Sequence, residues 1–158
     1  MKVRTAAILF VSHVVALGAG FALGVYFLPI LTAPPPPPVA AVEAAAKAAT
    51  YKGVFKRHMG DSDALHWGEG TVFVSAEAVS LQGRVSPGPD YKLYLSPEFV
   101  ETRADFKRVK PQMLRVGDVK TFENFILRLP PGIDPGKYTT VVVWCETFSM
   151  FISAAKYR

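Results

Sequence analysis

The segment Thr139-Thr140-Val141-Val142-Val143-Trp144-Cys145 is apolar on both of the faces that a strand would present. Strand side chains alternate between the two faces of a sheet, so a strand of this composition must be covered on both sides. The segment therefore predicts a central strand of a β domain. Cys145 ends the apolar run, and we expect it to be buried beside Trp144. It is the only cysteine in the chain, which excludes an intramolecular disulfide.

Short strand-like segments bounded by Gly- and Pro-rich turns surround this central strand. They predict an all-β domain with about seven short strands, arranged as a small β-sandwich or a closed barrel. A short helix is predicted at Ser96-Pro97-Glu98, where Ser can cap and Pro can occupy the first helical position. The predicted strands are Tyr51–Arg57, Ala64–Ser75, Ala78–Val85, Tyr91–Ser96, Phe122–Leu129, Tyr138–Cys145 and Phe148–Ala154.

The N-terminal part of the chain is a long uncharged stretch. Residues 5–33 contain no Asp, Glu, Lys or Arg, and as a helix they would extend about 40 Å, beyond the ~30 Å core of a bilayer. A removed signal peptide has a shorter apolar part, so residues 1–33 predict an uncleaved transmembrane anchor that contacts the bilayer through residues 5–31. Lys2 and Arg4 predict a cytoplasmic N-terminus and a periplasmic or extracellular C-terminal domain.

A linker is predicted between the anchor and the β domain. Pro34–Pro38 is a run of five prolines, typical of an extended polyproline rod. Val39–Thr50 is mostly alanine and predicts a short helix. We therefore divide the chain into an anchor, a semi-rigid stalk over residues 34–50 and a β domain over residues 51–158.

Two glycines in the anchor suggest a helix–helix contact. Gly20 and Gly24 form a GxxxG pattern, whose small residues let two membrane helices approach closely. A homodimer through this face is one interpretation. The other is that glycine is simply common in membrane helices.

Charge and motifs narrow the function class. The net charge is +5, but Lys2 and Arg4 precede the anchor and the rest of the chain is only mildly basic. A nucleic-acid-binding domain usually shows a clustered basic surface, so we exclude nucleic acid as a partner. The sequence also contains no HExxH, GxSxG, P-loop or CxxCH motif. An electron-transfer or binding module is therefore favoured over a stand-alone enzyme.

The lone Cys145 allows two interpretations. An unpaired cysteine often serves only as a small hydrophobic side chain. In an oxidising compartment, however, a free thiol is at risk of oxidation, and its presence calls for burial or a task. As a thiolate it could ligate haem or copper, with His66, His58 or Met150 as companions. Copper is the less favoured metal, because no histidine lies between Cys145 and Met150.

Two motifs occur in a fixed order along the chain. One is Gly88-Pro89-Asp90-Tyr91-Lys92-Leu93-Tyr94-Leu95-Ser96, and the other is Tyr138–Cys145 followed by Phe148 and Ala154-Ala155. Together with His66, Gly70 and Leu81-x-Gly83-x-Val85, they closely resemble the DM-thirteen (electron-transfer DM) domain. This small β domain occurs beside DOMON domains and alone in bacterial membrane-anchored proteins. The resemblance covers most of residues 53–155.

The resemblance implies a role in electron transfer. It assigns Cys145 as a redox thiol or as the ligand of a prosthetic group such as haem, with His66 as the candidate second ligand. Another membrane or envelope redox protein would be the partner. The alternative is a non-catalytic envelope module that binds a protein or small ligand while Cys145 only packs. The chain departs from the family pattern between Pro97 and Val119, where the basic stretch Arg103–Lys110 predicts a solvated loop.

Overall fold

The structure is a computed structural model that describes residues 2–158. Two N-terminal helices precede eight strands, and a third helix lies between the fourth and fifth strands. The helices are α1 (Val3–Thr32), α2 (Val39–Lys47) and α3 (Arg103–Val109). The strands are β1 (Tyr51–Phe55), β2 (Gly68–Val74), β3 (Ala78–Val85), β4 (Tyr91–Ser96), β5 (Leu114–Val119), β6 (Glu123–Arg128), β7 (Thr140–Cys145) and β8 (Met150–Lys156).

The strands form two four-stranded sheets. The first has the order β1-β2-β3-β6 and the second the order β5-β4-β7-β8, with every neighbouring pair antiparallel. The all-β prediction is confirmed as a sandwich, and the closed barrel offered beside it is wrong because the two sheets stay separate. The strand count rises to eight because β5 was not predicted.

The strand β7 is central, as its composition predicts. It lies between β4 and β8, and all six of its residues are buried. Val141, Val143 and Cys145 enter the main core between the two sheets. Val142 and Trp144 lie on the other face, in a second cluster that α3 covers. The burial of Cys145 is confirmed, but the Trp144 indole lies on the opposite face of the sheet, because successive strand residues alternate.

The region between β4 and β5 differs from the prediction. No helix begins at Ser96; α3 instead begins at Arg103, where the Thr102 hydroxyl caps it by accepting the backbone N–H of Asp105 at 3.1 Å. The basic stretch Arg103–Lys110 is therefore mostly helix rather than a solvated loop. Its apolar residues Phe106 and Val109, three positions apart, are fully buried on one helical face.

The second strand of the domain begins later than predicted. The segment Ala64–Ser75 was expected to be one strand, but β2 begins at Gly68. The Asp63 carboxylate accepts the backbone N–H groups of Leu65 and His66 at 2.7 and 2.8 Å. Such side-chain bonds hold the backbone in a turn that competes with strand pairing.

The helix α1 is long and apolar enough to cross a membrane by length and composition. It ends at Thr32, just before Ala33-Pro34, since a residue that precedes proline disfavours helical geometry. The predicted helix in the linker forms as α2, and its Val42 is buried where α2 meets β2, β3 and β6. Thus α2 packs on the first sheet. The division of the chain into a stalk and a β domain at residue 50 stays a prediction.

Candidate functional site

Cys145 lies at the end of β7, in the middle of a cross-strand row. In the register of the second sheet it faces Tyr91 of β4 on one side and Met150 of β8 on the other. These neighbours and the opposite sheet leave it 2% exposed. Burial raises the pKa of the Cys145 thiol, against a smaller opposing effect of backbone N–H groups at Phe148 and Asp90. The group is therefore a neutral thiol near neutral pH rather than a standing thiolate.

Tyr91 is held beside Cys145 by the loop that precedes β4. Its hydroxyl donates to the carbonyl oxygen of Pro87 at 3.1 Å and lies 3.4 Å from the hydroxyl of Ser86. Gly88 packs directly on the Tyr91 ring. A Cβ at position 88 would lie only 2.4 Å from the nearest atoms of that ring. The Gly-Pro-Asp-Tyr motif thus has a structural reason: only glycine lets the loop close over the ring that covers the thiol.

His66 lies in a second loop that meets the first. Its Nδ1 is 2.8 Å from the Asp63 carboxylate, which fixes the ring and leaves Nε2 as the nitrogen that a ligand could meet. Partial burial works against ionisation of Asp63, but the bonds from His66 and Leu65 prevail and lower the pKa of Asp63. The backbone N–H of Ser86 donates to the Trp67 carbonyl oxygen at 2.9 Å, so the two loops are tied together.

Cys145 and His66 share an apolar cavity of about 280 Å³. The cavity lies where the C-terminal half of α1 meets the β domain. Residues of the predicted anchor and residues of the predicted site therefore line the same cavity. The residues that line it include Cys145, His66, Tyr91 and Phe148 of the domain and Val25 and Tyr26 of α1.

The other predicted companions of the thiol are placed differently. His58 lines a separate cavity together with Lys56 and Met59. Met150 is the register neighbour of Cys145, but its sulfur contacts the Arg103 guanidinium at 2.6 Å. Within residues 2–158, no three side chains of the His, Cys, Asp and Glu types come together as a metal site would require.

These residues do not fit an axially ligated haem. The cavity of about 280 Å³ lies at the small end of the volumes typical of ligand pockets, whereas haem is a four-ring macrocycle. The Cys145 thiol is also only 2% exposed, which leaves little surface at which the iron of a macrocycle could reach its sulfur. Copper fits no better, because the Met150 sulfur is engaged by Arg103.

The structure adds a second cluster that the sequence did not suggest. The Tyr94 hydroxyl donates to the Glu146 carboxylate, which also accepts from Lys110 at 2.7 and 2.8 Å. On the same side of the sheet, the Phe106 and Trp144 rings stack with their centroids 3.9 Å apart. The residues are spread from position 94 to 146 of the chain, so no local motif announces the cluster. The cluster packs on the face of the second sheet opposite the one that Cys145 faces.

Fold and site together define a class: a two-sheet β domain that carries one buried thiol beside an apolar cavity, attached to a long apolar helix. The family described as electron transfer DM13 matches residues 59–157. The match covers more than half of the chain, and the chain belongs to this family. No curated protein and no solved structure matches it.

Proposed function

We propose that the chain is a membrane-tethered, extracytoplasmic electron-transfer domain whose redox group is the Cys145 thiol. Membership of the electron transfer DM13 family supports the redox role. The apolar helix α1 supports the tether, since its length and composition suit a single membrane crossing. The observation that carries the assignment to Cys145 is its position on the wall of a cavity that His66 also lines.

The environment of the thiol constrains how it reacts. Burial keeps Cys145 protonated and shields it from bulk water, so spontaneous oxidation is slow. The cavity offers an apolar approach to the same thiol. A neutral reactant that enters the cavity should therefore reach Cys145 more readily than a charged one.

A thiol–disulfide exchange tests this proposal directly. The full chain in phospholipid nanodiscs is treated with dipyridyl disulfide, which is neutral. Its S–S bond breaks as the Cys145 sulfur forms a mixed disulfide, and one thiopyridone leaves with the thiol proton. We expect one thiopyridone per native chain, none from Cys145→Ser, and a much slower reaction with the dianionic dithiobis(nitrobenzoate).

The second candidate is a non-catalytic envelope binding module in which the cysteine only packs. The observation that favours it is the near-complete burial of Cys145 between Tyr91 and Met150. Under this alternative, neither reagent reacts until the protein is denatured. Cys145→Ala would then affect only stability, and such a result would overturn the redox proposal.

The proposal includes a location and partners. Lys2 and Arg4 on the cytoplasmic side would send the domain to the periplasm or the cell exterior. Fixed close to the bilayer, the domain would exchange electrons with another membrane or envelope redox protein. A homodimer through Gly20 and Gly24 would bring two such domains side by side.

A further inference from the structure

We propose that the cavity between α1 and the β domain binds a membrane-soluble quinol, a dihydroxylated aromatic ring with an apolar tail. The inference rests on the proposed function and deepens it by naming a class of small molecule that the site would bind. It concerns binding alone, because a quinol and the Cys145 thiol are both reduced and exchange no electrons with each other. Four features carry it: the height of the cavity along the anchor, its apolar rim, its size and the contact of His66 Nδ1 with Asp63.

The height follows from the length of the anchor. A hydrocarbon core of ~30 Å takes about 20 helical residues. A span that begins near Thr5 therefore reaches the outer boundary close to Val25 and Tyr26, which line the cavity together with Phe21 and Ala22 one turn deeper. Tyr26 is also the kind of residue that favours the membrane interface. The cavity thus lies where a carrier dissolved in the bilayer can enter it.

The rim on the domain side is apolar and exposed. Leu65 is 56% exposed and Phe148 is 48% exposed, and both line the cavity. They project from the two loops that flank His66 and Cys145. Apolar side chains gain roughly 25 cal/mol per Å² when they leave water, so this end of the domain favours contact with the bilayer surface.

The size and polarity select a single ring. A volume of about 280 Å³ suits one substituted ring and its first tail atoms, not a macrocycle. Among the lining groups, the Tyr91 hydroxyl already donates to Pro87. Asp63 holds Nδ1 of His66, and in the neutral ring this makes Nε2 an acceptor. A quinol hydroxyl is the matching donor, whereas a lipid acyl chain has none.

The test uses the full chain in phosphatidylcholine nanodiscs, with empty nanodiscs as the blank. The probe is tetramethylhydroquinone, kept anaerobic, and its matched analogue without hydroxyls is tetramethylbenzene. We expect saturable binding of the quinol by calorimetry, weakened about five- to tenfold in His66→Ala, the range that one lost hydrogen bond produces. His66→Gln keeps an acceptor and should retain part of the affinity.

The control variant is His58→Ala, because His58 lines another cavity and its loss should leave quinol binding unchanged. Circular dichroism melting confirms that each variant is folded. Equal affinity for tetramethylbenzene, or quinol binding that His66→Ala leaves intact, or no saturable binding at all, overturns the inference. Thiopyridone release from Cys145 is measured on the same samples, so a failure of the quinol site and a failure of the redox thiol are distinguished.

Discussion

Glu146 follows Cys145 directly in the chain, but its carboxylate bonds to Tyr94 and Lys110 and not to the thiol. Partial burial opposes ionisation of this carboxyl, but the bonds from Lys110 and Tyr94 lower its pKa below the ordinary 4.5. A carboxyl whose folded-state pKa is lowered contributes stability above its unfolded pKa, and that stability is lost as the pH falls through the folded value. The Glu146 contribution should therefore be present at neutral pH and absent in acid.

We predict that Glu146→Gln lowers the free energy of unfolding by about 1 kcal/mol at pH 7, since both partners are partly exposed. At pH 3 the variant and the native protein should unfold at nearly the same temperature. Calorimetric melting at the two pH values checks this. The control is Glu98→Gln, whose ion pair with Arg108 is more exposed. A loss of equal size at both pH values would contradict the assignment.

At the scale of elements, α3 covers the outer face of the second sheet. Its Phe106 ring is fully buried and stacks on Trp144 of β7. Phe106→Ala should lower the free energy of unfolding by about 3 to 5 kcal/mol, because the missing ring leaves a cavity beside Trp144. Urea unfolding measures the change, and Lys107→Ala, on the exposed side of the same helix, should stay within about 0.5 kcal/mol. Similar midpoints for the two variants would mean that α3 is dispensable.

The helix α1 presents two different faces. Val25 and Tyr26 line the cavity, while a Cβ at Gly20 or Gly24 would meet no atom within 4 Å. The glycine face is thus free for a second copy of the helix. We predict a homodimer by cross-linking in nanodiscs or mild detergent, lost in Gly24→Leu and kept in Val14→Leu. A monomeric native chain would contradict the prediction.

Local sequence patterns predict some elements of this fold and miss others. The segment Thr139–Cys145, apolar on both faces, predicts that β7 is a central strand. The uncharged residues 5–33 predict the long helix α1. The pattern fails for β5, because Leu114–Val119 contains Arg115, Gly117 and Asp118 and lacks a strand signature. It also fails for α3, whose short apolar spacing is hidden among basic residues.

The site was predictable only in part. Cys145 and His66 could be chosen by residue type and family resemblance, and the structure places both on one cavity. Tyr91 and Asp63 were not chosen, because their partners are fixed by strand register and a loop turn. The walls contributed by α1 could not be foreseen, since they join segments more than 100 residues apart in the chain.

For the whole molecule, topology decides which compartment the thiol faces. Lys2 and Arg4 predict that the N-terminus stays in the cytoplasm. In bacterial spheroplasts, added protease should therefore digest the β domain while a cytoplasmic marker survives. Replacing Lys2 and Arg4 by Glu should reduce that digestion. A domain that resists protease until the membrane is dissolved by detergent would place it inside the cell.

A redox centre at Cys145 is tested most directly by voltammetry of the full chain in a bilayer supported on an electrode. We predict a current wave from the native protein that disappears in Cys145→Ser and persists in His58→Ala. The same wave in Cys145→Ser, or no wave from the native protein, would contradict a redox centre at Cys145.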